Sequence, residues 1–421
     1  MALTAQQIAI VKSTAPVVKQ HGRTITKAFY REMLAAHPEL KNYFSLRNQQ
    51  TGAQQAALAD AVFAYAAHID DLPKLGAAVE HIAHKHASLF VRADQYPIVG
   101  KFLVGAFAEV LGDALTPEVK DAWVAAYGQL ADVFIQRERQ LYDAAGPEWQ
   151  SWRRFVIVKK ELEAEDITSY YLEPVDGRPL PRFMPGQYIT LQVPLPELDG
   201  LLQSRQFSIS TAPVGGMRQY RISVKREETM DNASTEDLAE GKVPGLISNL
   251  LHNKYHVGDE VELSPPCGEF FFDAAAASPS SPVVLLSAGV GATPLVSILD
   301  SLLGSPNASR PISWVHTARH SGAVCFRKHM REAAAQHSNV KSVLFVKKLQ
   351  DGDRQGEEYD IEGRLSLDKV GADETLHLAD SSAEYFICGP EEWMIETRKW
   401  LADKGVARER LHLELFRTGD V

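Results

Sequence analysis

Cysteine is scarce in this chain. The three that occur in 421 residues, Cys267, Cys325 and Cys388, lie far apart and in no ligand spacing. That excludes a disulfide framework and a cysteine-held metal centre, and it suits a reducing compartment. Long hydrophobic runs are missing as well: none approaches the ~20 residues that span a bilayer. The N-terminal "MALTAQQIAIVKST" has no basic region leading into an apolar one, so no secretion signal is visible. Positive charge is in deficit, with 44 Lys and Arg against 54 Asp and Glu, a net charge of −10 and no basic block. A nucleic-acid surface or stable membrane association is therefore not expected. A soluble, cytoplasmic protein is.

The chain is too long for one core, so two or three domains are expected. The first third reads as helix after helix. "GAQQAALADAVFAYAAHID" repeats apolar residues at helical steps, and so does "DAWVAAYGQLADVFIQRERQLY". "DAAGPEWQSW" breaks the period at Gly146 and Pro147. Beyond it, "RFVIVKKEL", "GQYITLQV", "RQFSIST" and "QYRISVKRE" are short β-branched and aromatic runs between turns, as in a small antiparallel barrel. "ETMDNASTEDLAEGKVPG" reads as a long polar loop, and "GLISNLLH" as a helix start with Ser248 placed to cap it. After the connector "DAAAASPSSP", strands and helices alternate, which implies a parallel sheet. The expected domains are 1–145, all-α; 150–272, an antiparallel β-barrel; and 280–421, α/β with a parallel sheet.

One helical stretch, "VEHIAHKHASL", holds three histidines within six residues. At about 100° per residue, Val79, Ile82, His86 and Leu89 form one apolar stripe. His81 and His84 point roughly 140° and 160° away from His86, toward Glu80 and Lys85. Those two read as a solvated face. His86 is either a hydrogen-bonded core histidine or an inward-facing ligand.

The last third carries "VVLLSAGVGATPLVSILDSLL". An apolar strand runs into Gly289, Val290, Gly291 and Ala292, then Thr293 is placed as N-cap and Pro294 as first residue of a helix. Glycines admit a close ligand, and free N–H groups at a helix start suit a pyrophosphate. "YFICGPEEWM" sets Cys388, Gly389 and Pro390 at the end of a later strand, where open α/β sheets bind ligands. With "PGQY", which contains Tyr188, and "RQFS", Arg205 to Ser208, these motifs in this order resemble the ferredoxin–NADP reductase family. The resemblance implies that FAD lies on the barrel and a nicotinamide nucleotide on the α/β domain. It further implies that Arg205 neutralises the FAD phosphates, Tyr188 and Phe207 flank the isoalloxazine, and Ser208 bonds its central ring, with Gln206 between them. Gly245 to Ser248 would take the pyrophosphate, Gly289 to Pro294 the nicotinamide nucleotide's phosphates, and Cys388 to Pro390 the nicotinamide. Phe207 stands where many relatives have Tyr. The usual Glu-x-Phe-Gly-Pro ending is here Glu414, Phe416, Arg417 and Thr418, with Phe416 still able to cover the flavin.

A helical domain fused to such a reductase resembles the flavohaemoglobins along the whole chain, through Tyr30, Phe44, Gln54, His86, Tyr96 and Glu138. The resemblance makes His86 the axial ligand of haem b, with Glu138 and Tyr96 behind its ring. Tyr30 and Gln54 would hydrogen-bond dioxygen, Phe44 would pack on the porphyrin, Leu58 would confine the ligand, and Lys85 would pair with a propionate. The implied activity is a nitric oxide dioxygenase: NAD(P)H reduces FAD, FAD reduces haem, and nitric oxide and dioxygen become nitrate. Alternatives of the same build are a reductase of lipid hydroperoxides, with lipid in the distal pocket, a haem gas sensor or dioxygen store, and a plain reductase with a non-haem helical partner. A monomer is expected. Arg319, after "SWVHTA", either meets a 2′-phosphate or is exposed, leaving NADH or NADPH open.

Overall fold

The computed structural model describes residues 3–195, 200–227, 245–304 and 309–416. The expected polar loop, 228–244, and the residues Arg417 and Thr418 lie outside them. The helical part comprises α1 (Ala5–Ala36), α2 (Leu46–Thr51), α3 (Ala53–Ala67), α4 (Gly76–Ser88), α5 (Tyr96–Leu111) and α6 (Pro117–Ala145). Thr4 opens α1 with a reciprocal box: the Gln7 N–H donates to its hydroxyl at 3.1 Å, and the Thr4 N–H to the Gln7 side chain at 2.9 Å. Thr116 and Pro117 open α6 in the same economical way. α1 packs across α3, α5 and α6 around Phe29, Met33, Phe107 and Trp123.

The connector after α6 is anchored. Gly146 ends the helix at φ 83°, and three residues on, Trp149 is 2% exposed, stacked on Phe155 and Tyr220 at 5.6 and 6.5 Å. The break in helical period is therefore a turn whose aromatic residue joins the next core. That core belongs to an antiparallel sheet of β1 (Arg153–Ala164), β2 (Ile167–Pro174), β3 (Tyr188–Leu195), β4 (Leu201–Ser208), β5 (Tyr220–Lys225) and β6 (Glu260–Leu263), ordered β4-β3-β6-β1-β2-β5. Helix α7 (Leu246–Lys254) precedes β6.

The last part is a parallel sheet of β7 (Val283–Ala288), β8 (Ile312–Ala318), β9 (Val340–Val346), β10 (Ile361–Glu362), β11 (Glu384–Cys388) and β12 (Leu411–Glu414), flanked by α8 (Ala292–Leu303), α9 (Arg327–Gln336) and α10 (Glu391–Asp403). Its order is β10-β9-β8-β7-β11-β12. Every residue of β7 is buried, as expected for a strand covered on both faces. The chain leaves β7 in one direction and returns to β11 on the other side. That switch point opens a crevice at the carboxyl ends of β7 and β11. The fold is thus an all-α domain, an antiparallel β domain and an α/β domain with a parallel sheet.

Two caps differ from expectation. Gly245, not Ser248, occupies the N-cap of α7, and the Ser248 hydroxyl donates back to the Gly245 carbonyl at 3.0 Å. Likewise α8 begins at Ala292 after a tight turn over Gly289–Gly291, and the Thr293 hydroxyl donates to the Val290 carbonyl at 2.9 Å. In both cases a glycine makes the entry turn and the hydroxyl ties it down from inside the helix.

His316 sits fully buried in β8, its Nδ1 2.7 Å from the Ser287 hydroxyl. Burial pushes its pKa from 6.5 down to about 4. Between those two values the unfolded chain binds the proton and the native one does not, so stability rises with pH through that window. Acidification from pH 6.5 to 4 should cost about 3 kcal/mol at this residue. The drop in urea midpoint over that range should flatten in His316→Gln, and an unchanged slope would remove His316 as its cause.

Candidate functional site

Helix α4 has two faces with opposite tasks. Val79, Ile82, His86 and Leu89, the apolar stripe, are half-buried, whereas Ala83, His84, Ala87 and Ser88 are buried. Helix α3 packs on α1 and α4 packs on α6, while α3 and α4 make little direct contact. α3 and α4 therefore leave a slot between them, and the stripe is a half-exposed face of α4.

His86, on that half-exposed face, is held through one ring nitrogen. Its Nδ1 lies 2.8 Å from Glu138 Oε1 and 3.1 Å from the Tyr96 hydroxyl. Tyr96 in turn donates to the same Glu138 oxygen at 2.5 Å. Glu138 is 2% exposed, and burial with the adjacent carboxylate pushes the Tyr96 phenol far up, so it remains a donor. A carboxylate accepts only, so Nδ1 carries a proton, which leaves Nε2, on the opposite edge of the ring, as the nitrogen that would meet a metal. The arrangement can hold a metal: an imidazole oriented by a buried carboxylate. Among the described residues there is no cluster of three or more His, Cys, Asp or Glu that would bind a bare ion, so a single ligand to a prosthetic metal is what the donor set fits.

Across the slot, Tyr30 is 5% exposed, packed edge-on against Phe44 at 5.3 Å and hydrogen-bonded to Gln54. Burial raises its pKa well above the usual phenol range, which keeps it protonated. Leu58, one turn beyond Gln54 on α3, joins the same apolar cluster. Lys85 lies half-buried on α4 beside His86.

The other two histidines are not a solvated face. His84 is 7% exposed, and its Nδ1 accepts from the Gly268 N–H at 3.0 Å while Nε2 meets Glu80 at 3.1 Å. Arg137 clamps Glu80, and His81 pairs with Glu269. Burial holds the His84 pKa below its usual value, as it must to keep Nδ1 an acceptor. The polar face of α4 is thus the seam with the β domain; helical periodicity locates that face but cannot say what covers it.

Two serines missed by sequence reasoning complete the seam. Ser88, two residues beyond His86, donates to the Lys85 carbonyl and accepts from the Gln206 side chain at 3.1 Å. It also hydrogen-bonds Tyr188. Ser45, the N-cap of α2, accepts from Arg205 Nη2 at 3.0 Å. The only signal in the sequence is their adjacency to His86 and Phe44. Tyr188 on β3 pairs directly with Ser208 on β4, and Arg205 to Ser208 run along that strand with Phe207 packed against the β core. Helix α7, opening at Gly245, approaches β4. The expected flavin residues are therefore brought together, next to the seam.

At the switch point the glycines do different work. Gly289 has φ +54° and open space around its Cα. A Cβ on Gly291 would lie 2.1 Å from the Cys388 carbonyl oxygen, and one on Gly389 2.9 Å from the Ala288 Cβ. Gly291 and Gly389 thus let the ends of β7 and β11 meet, while Gly289 and Val290 remain half-exposed in the crevice. Ala292, Thr293 and Pro294 turn their side chains into the domain. Cys388 is fully buried, which drives its thiol pKa well up and leaves it inert. Pro390 caps α10, and Phe416, 46% exposed, ends the described chain next to Leu415 of the core.

A globin family model matches residues 27–134, and an oxidoreductase NAD-binding domain model matches 285–399. A flavohemoprotein of Bordetella pertussis is 47% identical over 422 residues, covering 100% of both chains. One from Rhizobium meliloti is 43% identical over 417 residues, covering 98% of each. The chain belongs to the flavohemoprotein family. Among solved structures, a flavohemoglobin from Malassezia yamatoensis with bound FAD and heme superposes with a TM-score of 0.82 at 28% identity, covering 99% of this chain and 100% of that one. The FAD/NAD-binding domain of a nitric oxide dioxygenase from Vibrio cholerae is similar over 63% of this chain and 98% of its own, at 31% identity and a TM-score of 0.51.

Gly291→Ala should force the ends of β7 and β11 apart. NADH-driven flavin reduction, followed by stopped-flow bleaching of the flavin band, is expected to slow by more than about tenfold, since misplacement of about 1 Å can cost a hundredfold. A variant that reduces its flavin at the native rate would show that the close approach is not needed.

Proposed function

We propose that this chain is an NAD(P)H-dependent nitric oxide dioxygenase with haem b in the helical slot and FAD against β3 and β4. The observation that carries the reading is His86: its Nδ1 is fixed by a buried carboxylate, and its side chain stays a third exposed on the half-open face of α4. Its helix is joined by Ser88 to the strand bearing the flavin residues. Bound FAD would supply the conversion of a two-electron hydride donor into single electrons, and bound haem b the iron at which nitric oxide and dioxygen would be turned to nitrate.

The chain's own residues do the rest. Glu138 accepts the His86 Nδ1–H and so strengthens imidazole as a donor. Tyr96 holds that carboxylate in place. On the far side of the slot Tyr30, kept protonated by burial and held by Gln54, offers a donor to a diatomic substrate that gains negative charge. Phe44 and Leu58 exclude water there, and Lys85 is set to meet a propionate. Arg205 neutralises phosphate, Tyr188 and Phe207 flank the flavin ring, and Ser208 bonds it. Gly245 to Ser248 cradle the flavin's pyrophosphate, and Gly289 and Val290 with Cys388 to Pro390 border the nicotinamide nucleotide.

A fused reductase sets this reading apart from a store or sensor, which needs no steady supply of electrons. Similarity of the C-terminal two domains to the FAD/NAD-binding domain of a nitric oxide dioxygenase from Vibrio cholerae supports it.

Two variants test it. His86→Ala should lose the Soret band while NADH still bleaches the flavin; normal haem content in that variant would sink the ligand assignment. Tyr30→Phe removes a hydrogen bond to a partly charged ligand, worth roughly 1.5–3 kcal/mol. Dioxygen should then leave roughly ten to a hundred times faster in flash photolysis. For the native protein, NADH, air and nitric oxide should give nitrate with catalytic NADH use. Haem that reduces without consuming nitric oxide would move the physiological acceptor elsewhere.

A further inference from the structure

A carboxylate from the β domain reaches the edge of the parallel sheet. The tip of the β1–β2 hairpin, Glu165 and Asp166, meets the segment after β8. Asp166 Oδ2 accepts from Arg319 Nη2 at 2.7 Å. The Glu165 N–H donates to the Gly322 carbonyl at 2.9 Å, and its carboxylate lies 3.8 Å from His320 Nδ1. On either side of the tip, Ala164 and Ile167 are buried in the α/β core with Cys325 and Phe326. The Asp166 carbonyl also accepts the Arg226 N–H at 2.6 Å. The tip is therefore clamped, and the Asp166 side chain is 17% exposed against 46% for Arg319.

Its location gives that pair a task. In a βαβ unit whose first turn receives a pyrophosphate, the end of the second strand meets the adenosine ribose. Here the first turn is Gly289–Gly291 and the second strand, β8, ends at Ala318. Arg319 is the next residue. An arginine at such a place suits a 2′-phosphate, whereas a carboxylate accepts from ribose hydroxyls and repels that phosphate. This chain has both, paired to each other across a domain boundary.

We propose that Asp166 sets the choice of dinucleotide: it engages Arg319 and places negative charge beside the ribose, so that the chain uses NADH in preference to NADPH. The assignment rests on the reading of the C-terminal two domains as an NAD(P)H-dependent reductase, and not on the chemistry at haem. Glu165, at the same tip, adds a second negative charge. A 2′-phosphate would have to displace Asp166 from the guanidinium fork to bind there.

The test is steady-state reduction of ferricyanide by the full-length holoprotein with NADH and with NADPH. It compares the native chain, Asp166→Asn, Arg319→Ala and the double variant. The native chain should favour NADH in kcat/KM. Asp166→Asn should raise the NADPH-to-NADH ratio of kcat/KM by about tenfold, chiefly by lowering the KM for NADPH. That gain should fall in the double variant, which keeps the relief of repulsion but loses the guanidinium. Each ratio is internal to one preparation, so partial loss of folded protein cancels. A native preference for NADPH, an unchanged ratio in Asp166→Asn, or a gain undiminished in the double variant would each overturn the proposal. Ferricyanide takes electrons from flavin directly, so failure of the nitric oxide reading leaves this ratio untouched. Failure of both nucleotides to reduce ferricyanide would overturn the reductase reading and this assignment together.

Discussion

Helix α4 is held on both faces at once, and the rest of the molecule is arranged around that constraint. Its buried face is tied to the β domain by the Gly268 N–H on His84 and by Gln206 on Ser88. Its open face presents His86, whose orientation Glu138 decides from α6. Because the helix is rigid over these few turns, any shift of the β domain moves the imidazole as well. His86 and the β3–β4 strands are thereby parts of one mechanical unit.

Buried polar groups make the seam specific rather than merely sticky. An unsatisfied buried donor or acceptor costs about 1–3 kcal/mol, so the buried His84 Nδ1 and the Ser88 hydroxyl favour the docking in which Gly268 and Gln206 reach them. The other inter-domain contacts act in the same sense. Trp149 stacks the connector into the β core, and the Ser297 hydroxyl of α8 donates to the Thr211 carbonyl at 2.6 Å. The β1–β2 hairpin buries Ala164 and Ile167 in the α/β core. The helical domain and its connector lend Phe90 and Trp149 to the β core, and the β domain lends Ala164 and Ile167 to the α/β core.

Much of the fold was legible along the chain. The helical period of "DAWVAAYGQLADVFIQRERQLY" became α6, and the apolar run "VVLLSA" became the fully buried β7, because periodicity and burial are local consequences of side-chain order. The caps were misjudged at Ser248 and Thr293. A hydroxyl near a helix start can accept from the backbone or donate back to it, and the glycine before it decides which. His81 and His84 were assigned to solvent because a polar helix face looks the same whether water or another domain covers it.

The order of motifs in the sequence by itself determined the class of each domain, the family and most of the residues that the site draws together, since glycine turns, apolar stripes and Arg205 to Ser208 carry their meaning at short range. Tertiary structure decided the rest. It placed Ser88 and Ser45 against Gln206 and Arg205, gave Gly291 a backbone neighbour 97 residues away in Cys388, and set Asp166 of the β domain on Arg319 of the α/β domain. Those are contacts between residues distant in the chain. Their energies depend on docking geometry, which no local pattern of residues encodes.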